Sequence, residues 1–252
     1  MQAMILAAGL GTRLRPLTHQ IPKALIPVKQ KDGKEIPALE GLLDKMVEQG
    51  FTKIIINIHH LPGQIRAFVS DYLEERNLPP VTICFSDESK EILGTGGALK
   101  HACALFDSTE PVLVHNVDIL SDIYLPDLMK ELRSEDLAAL LVTPRESSRQ
   151  LLFDTEWRLS GWRNKTLGET RMIQEGTGQG TGEQDSMERA FSGIYVLSPQ
   201  AIELLSTRKN RVFSIIDFFL EQAPHHTVRG VELPTIQVLD IGKPDTYRKT
   251  LS

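Results

Sequence analysis

The sequence predicts an α/β fold in three layers, with helices on both faces of a mainly parallel sheet and a small antiparallel β part toward its end. Three observations carry this. Short apolar runs at Met4–Ala8, Lys53–Ile58, Val81–Phe85, Pro111–His115 and Leu137–Thr143 have the length and composition of strands buried on both faces. Stretches of helical period alternate with the first four of them, so consecutive strands need right-handed crossovers and line up in parallel. Past Pro144 the pattern changes to short segments with turn residues between them, the mark of antiparallel pieces.

The first run ends at Gly9 and Gly11, followed by Thr12, Arg13, Arg15 and Lys23, with Pro16 and Pro22 stiffening the path. Glycine lets the backbone turn sharply and present bare N–H groups, and the cations add fixed positive charge, the two things a polyphosphate needs. Other phosphate loops do not fit. A P-loop requires a Gly-Lys-Ser/Thr ending that is missing here, and a dinucleotide fingerprint would need a small residue where Leu14 stands. An ordinary strand-to-helix turn with surface arginines is the bland alternative.

A helix over Pro37–Gln49 follows, with Leu39, Leu42, Leu43, Met46 and Val47 on one face and Gly50 as its stop. After the Lys53–Ile58 strand come His59 and His60. Neighbours on a strand point opposite ways and no third ligand is spaced nearby, so the pair reads as polar satisfaction at a strand end rather than a metal site. A helix from 64 to 75 leads to the strand at Val81–Phe85. The acidic stretch Asp87-Glu88-Ser89-Lys90-Glu91 reads equally as a base-reading lead-in or a solvated loop.

Gly94, Gly96 and Gly97 precede a helix expected over Ala98–Leu105, which would turn backbone N–H groups toward the ligand edge of the sheet. The strand Pro111–His115 ends in Asn116-Val117-Asp118. A carboxylate just past a buried parallel strand is costly unless a ligand or metal uses it. Asp122 reads as the cap of a helix over Leu125–Leu132. The Gly-rich stretch 176–184 reads as a mobile hairpin or a solvated loop. Ala190–Leu197 is a strand with Gly193 inside it, a sign of close backbone approach. Helices follow at Pro199–Leu205 and Ser214–Gln222. Ile236–Lys243 then reads as a strand ending in a second isolated acid, Asp240, placed by the parallel-sheet reading on the same edge as Asp118.

At 252 residues and 28.2 kDa the chain suits one α/β domain, residues 1–252. A net charge of −5 argues against a nucleic-acid binder, so the positive charge around Arg13 is local and suits a small anion. Cys84 and Cys103 lack metal-ligand spacing and read as buried thiols in a reducing compartment. No apolar stretch of membrane-spanning length and no signal-peptide layout occur, which together predict a cytoplasmic protein without a membrane partner. The oligomeric state is not readable.

The stretch GLGTRLRPLTHQIPKALIPV, Gly9 to Val28, resembles the signature of the sugar-1-phosphate nucleotidyltransferases, the nucleotide-sugar pyrophosphorylases, with Ala24 where proline is commoner. LGTGGAL, Leu93 to Leu99, resembles a second segment of that family, and VLDIGK, Val238 to Lys243, a third. The resemblance implies a Rossmann-like three-layer sandwich whose residues 1–143 mainly bind nucleotide and whose residues 144–252, with the antiparallel part, mainly bind sugar. It implies nucleotide contacts at Ala7, Ala8, Gly9, Gly11, Thr12, Gly94, Thr95 and Gly96, and phosphate-gripping catalytic roles for Arg13 and Lys23. It implies Mg²⁺ held by Asp118 and Asp240, although Val117 departs from the usual glycine before the first acid. Sugar contacts fall at Asn116, Gly193 and Lys165, the last with Arg163 as its rival because the family's Glu-Lys-Pro segment is missing.

The substrates implied are a nucleoside triphosphate and a sugar 1-phosphate. The chain looks closest to the N-acetylmuramate-1-phosphate uridylyltransferases, with heptose- and mannose-1-phosphate guanylyltransferases as rivals. A catalytically silent sugar-nucleotide sensor and a glycosyltransferase are the other classes. The sensor need not keep Arg13, Lys23, Asp118 and Asp240 together, and the glycosyltransferase would carry an Asp-x-Asp pair, where this chain has Leu120 two residues past Asp118.

Overall fold

A computed structural model of the chain describes residues 1–30, 33–173 and 186–250. In the first half, strands β1 (Gln2–Leu6), β2 (Pro27–Lys29) and β3 (Glu35–Pro37) precede helix α1 (Ala38–Glu48). Then follow β4 (Lys53–Ile58), α2 (Pro62–Glu74), β5 (Thr82–Asp87), α3 (Gly94–Ala102), β6 (Val112–Asn116), β7 (Ile119–Ser121), α4 (Leu125–Lys130) and β8 (Asp136–Thr143). The second half adds β9 (Arg149–Phe153), β10 (Leu159–Asn164), β11 (Glu169–Met172) and β12 (Met187–Leu197). It closes with α5 (Pro199–Thr207), α6 (Ile215–Gln222), β13 (Thr227–Val231), β14 (Val238–Asp240) and α7 (Pro244–Lys249).

Side by side, the central strands run β13-β8-β12-β6-β1-β4-β5, with β12 opposing the common direction of the others. The mainly parallel α/β expectation therefore holds. The period of two along each strand splits the core between the two faces. Ala3 and Ile5 of β1, with Ile54, Ile56 and Ile58 of β4, pack under α1, α2 and α4. Met4, Ile55, Val112 and Val114 pack under α3, α5 and α6, where Phe218 and Phe219 are fully buried. The small antiparallel part is β9, β10 and β11, joined to the first half of β12. The eleven-residue β12 thus belongs to both sheets.

Four expectations are corrected. Gly94, Gly96 and Gly97 lie inside the first turn of α3 instead of ahead of it, and the helix ends at Ala102 in a 3-10 turn over Cys103–Leu105. The segment from Ile236 contributes only the three residues of β14, which pairs antiparallel with β7 in a ribbon outside the main sheet. Asp122 does not cap α4; its Oδ1 accepts from the Gln237 backbone N–H at 2.8 Å, fastening that ribbon. Cys84 and Cys103 are half-buried, with the Cys103 sulfhydryl directed to the Leu99 carbonyl at 3.4 Å. The strand β13 was not legible, because Arg229 interrupts its apolar pattern. That guanidinium is buried against the Asp136 carboxylate at 2.7 and 2.8 Å, an ion pair linking β13 to β8. The Gly-rich stretch 176–184 lies outside the described residues.

Candidate functional site

The turn after β1 is built from the backbone outward. Asn57 Oδ1, at the end of β4, accepts from Ala7 N at 2.6 Å and Ala8 N at 3.3 Å, and its amide donates to Glu88 Oε1 at 2.8 Å. Glu88 is buried, and this burial raises its carboxyl pKa against the lowering effect of its hydrogen bonds to Asn57 and the Leu93 backbone. The solvated-loop reading therefore fails for Glu88 and holds for its exposed neighbours Asp87, Ser89, Lys90 and Glu91. His59 donates to the Glu88 carbonyl at 2.6 Å and His60 to the Thr18 carbonyl at 2.8 Å, the polar satisfaction expected of this pair.

Gly11 has φ +61, in the left-handed region, and caps the short 3-10 turn Thr12–Leu14. Thr12 and Arg13 are exposed on that turn, while Leu14 anchors it in a small core with Ile26, Val28 and Tyr247. Lys23 stands on another 3-10 turn and pairs with Asp118 Oδ2, with only 12% and 16% of the two side chains exposed.

Gly242 brings the scattered charges together. A Cβ there would lie 2.6 Å from Asp118 Oδ2, 2.7 Å from Lys23 Nζ and 2.9 Å from Arg13 Nη2, so a side chain at this position would have to push the ends of all three away from this backbone. Asp240 Oδ1 accepts from Gly242 N at 2.9 Å, and Ile241 N donates to the Asp118 carbonyl at 2.9 Å. The two acids expected on one sheet edge are thus joined by the β7–β14 ribbon. Two carboxylates are hard oxygen donors of the kind Mg²⁺ prefers. Among the described residues no group of three or more His, Cys, Asp or Glu side chains gathers to hold a metal, so phosphate oxygens and water would have to complete the shell.

A cleft of about 200 Å³ lies beside this charge cluster at the sheet edge, lined by Ala8, Gly9, Lys23 and Asp118 together with Asn57, Glu88, Gly94 and Thr95. Ala7 is buried beneath it. Gly96 is set back: its N–H donates to the Phe213 carbonyl at 3.0 Å, and a Cβ there would lie 2.3 Å from the Phe213 ring. Asn116 lines the cleft and touches Gly193, which has φ +84 and where a Cβ would come 2.5 Å from Asn116 Nδ2. Lys165 is placed elsewhere, with its ammonium 2.6 Å from Glu188 Oε2 at the start of β12; the Arg163 guanidinium pairs with the same carboxylate. Sequence reading missed Asn57 and Gly242. Asn57 left a signal as the one polar residue inside the apolar run of β4, and Gly242 left one as the glycine of the VLDIGK segment, although nothing there names the side chains that press on it.

A family profile described as Nucleotidyl transferase matches residues 2–151. The UTP–glucose-1-phosphate uridylyltransferase of Synechocystis is 31% identical over 81% of this chain and 51% of its own length. The N-acetylmuramate alpha-1-phosphate uridylyltransferase of Caulobacter vibrioides is 41% identical over 46% of this chain and 45% of its own. The chain therefore spans about half the length of these curated relatives. In fold, HddC from Yersinia pseudotuberculosis, also solved with GMP-PN, superposes with a TM-score of 0.71 over 99% of this chain and 97% of its own, at 22% identity. The chain belongs to the nucleotidyl transferase family, within the sugar-1-phosphate nucleotidyltransferases.

Proposed function

We propose that this chain joins a nucleoside triphosphate to a sugar 1-phosphate, with uridine triphosphate as the donor. A sugar-phosphate oxygen attacks the α-phosphorus, the bond to the β-phosphate breaks, and pyrophosphate leaves in line. Such transfers need little covalent help, so the residues act by positioning and charge neutralisation. Arg13 grips the departing β- and γ-phosphates, and Lys23 offsets charge at the α-phosphate once it is released from Asp118. Asp118 and Asp240 would hold Mg²⁺, which supplies Lewis-acid neutralisation of phosphate oxygens. No side-chain nucleophile is required, and the sugar phosphate is already ionised. Glycine-turn backbone at Gly9, Gly11 and Thr12 borders the phosphates, and Gly94 and Thr95 belong to the base end.

The observation that carries this reading is the meeting of Arg13, Lys23 and Asp118 at Gly242, two residues from Asp240. Residues 1–143 supply most of the nucleotide side, and Asn116 and Gly193 mark the sugar side. The uridine assignment rests on the two curated relatives, both uridylyltransferases by name. Guanine is the second reading, favoured by the guanine analogue in HddC. Pyrophosphate release should be measured with UTP, GTP, CTP and dTTP against a panel of sugar 1-phosphates. EDTA-sensitive turnover with UTP supports the proposal, turnover confined to GTP shifts it to the second reading, and silence across the panel removes it.

A further inference from the structure

A second cavity, of about 690 Å³, is lined by α1, β2 and the β7–β14 ribbon and shares none of its lining residues with the cleft. Its volume falls in the range of small-molecule sites. Two polar side chains in it have unmet bonding capacity. The His115 ring, 1% exposed, has Nδ1 2.8 Å from the Asn116 carbonyl. A carbonyl only accepts, so Nδ1 carries the proton and Nε2 is a bare lone pair, which has no partner. Lys45 directs its ammonium to the Ser121 carbonyl at 2.6 Å and the Ser121 hydroxyl at 3.3 Å, leaving one hydrogen to give. Burial lowers the Lys45 pKa to about 8 although the Asp122 carboxylate raises it, as expected of an ammonium short of an anion. Leu42, Ile119 and Leu239 supply the apolar wall.

An occupant must therefore give a hydrogen to His115 Nε2 and present an anion to Lys45. A hydroxyl does the first. A carboxylate suits the second better than a dianionic phosphate, because Asp122 lies beside Lys45. We propose that this cavity binds a small hydroxylated monocarboxylate, its hydroxyl on His115 Nε2 and its carboxylate on Lys45 Nζ. The occupant would lie against Ile119–Ser121, the strand that directly follows Asp118.

The probe is D-gluconate, titrated into the full chain by calorimetry, with glucitol lacking the carboxylate and hexanoate lacking the hydroxyls as controls. Gluconate binds at one site and more tightly than either control. Lys45→Met weakens it about tenfold or more, the scale of one lost charge-assisted hydrogen bond. His115→Phe weakens it less, and Asp118→Asn leaves it unchanged. Leu239→Trp, at a half-exposed position on the rim, blocks the site while keeping both polar groups, so the result does not hang on Lys45→Met folding. Absence of gluconate binding, equal affinity for hexanoate, unchanged affinity in Lys45→Met or Leu239→Trp, or loss in Asp118→Asn would each overturn the assignment. None of these readouts depends on turnover, so the site stands or falls apart from the function proposed for the cleft.

Discussion

The two glycine-rich turns that border the cleft are glycine-rich for different physical reasons. At Gly9 the space beside the backbone is open, with only Lys23 Cδ 4.0 Å from a would-be Cβ, while Gly11 takes up a left-handed φ and has Thr18 Cγ2 2.6 Å from its would-be Cβ. Gly9 keeps a surface free. At Gly96 the space is already filled by the Phe213 ring, and the N–H groups of Gly96 and Gly97 are already donated to the Phe213 carbonyl at 3.0 and 3.3 Å. Thr95 Oγ1 adds to the clamp by accepting from Ile215 N, at the start of α6, at 3.0 Å. The second turn is an internal joint between α3 and the 211–215 segment, presenting only Gly94 and Thr95 to the cleft. A run of glycines shows that something comes close; whether it is a ligand or the protein itself is decided by residues far away in sequence.

Substitutions can break this contrast, and the largest effect belongs beside the open turn. Asp118→Asn and Lys23→Met should each lower turnover by about 10³-fold, the scale of losing one preorganised electrostatic contact, with melting temperature nearly unchanged. Pyrophosphate release checks this; near wild-type rates in either variant would remove the charge cluster from the mechanism. Gly96→Ala should instead act on stability, costing about 1–3 kcal/mol as an overpacked contact, with turnover per folded molecule retained. Urea unfolding should show the double variant Gly96→Ala/Phe213→Ala more stable than the sum of the single effects. If Gly96→Ala keeps its stability and loses nucleotide affinity, the joint is a ligand contact after all.

Thr95→Val should remove the hydrogen bond to Ile215 N and cost about 1 kcal/mol, whereas Thr95→Ser keeps it. Thermal melts of the pair separate the joint from the cleft. The smallest effect concerns the relay under the open turn. Glu88 has its folded pKa raised by burial, so its contribution to stability is complete below the unfolded value of 4.5 and is lost as pH rises through the folded one. Glu88→Gln should flatten the change in urea midpoint between pH 4 and 7.

Much of this architecture is written locally. The apolar runs at β1, β4, β6 and β8 and the helical faces between them follow from short-range periodicity, and Asp118 and Asp240 stand out as acids beside apolar runs. What escaped depends on register between distant segments. Nothing near Gly242 indicates that Asp118, Lys23 and Arg13 will press on it, and the Lys165 pairing with Glu188 joins residues from separate strands. The 211–215 segment gives no local sign that its backbone will occupy the N–H groups of Gly96 and Gly97. β14 was read as a longer strand of the main sheet because an apolar run does not disclose its pairing partner.

The ribbon also fixes when the site comes into being. Asp118 is synthesised well before Asp240 and Gly242, and among the described residues β14 pairs with β7 alone. A chain grown only as far as β6 would lack both the Gly242 floor of the charge cluster and Asp240, so the proposed chemistry requires the segment 236–243. Cleavage between Pro234 and Ile236 should reproduce that state, silencing turnover while the amides of β1, β4 and β6 stay protected from hydrogen exchange.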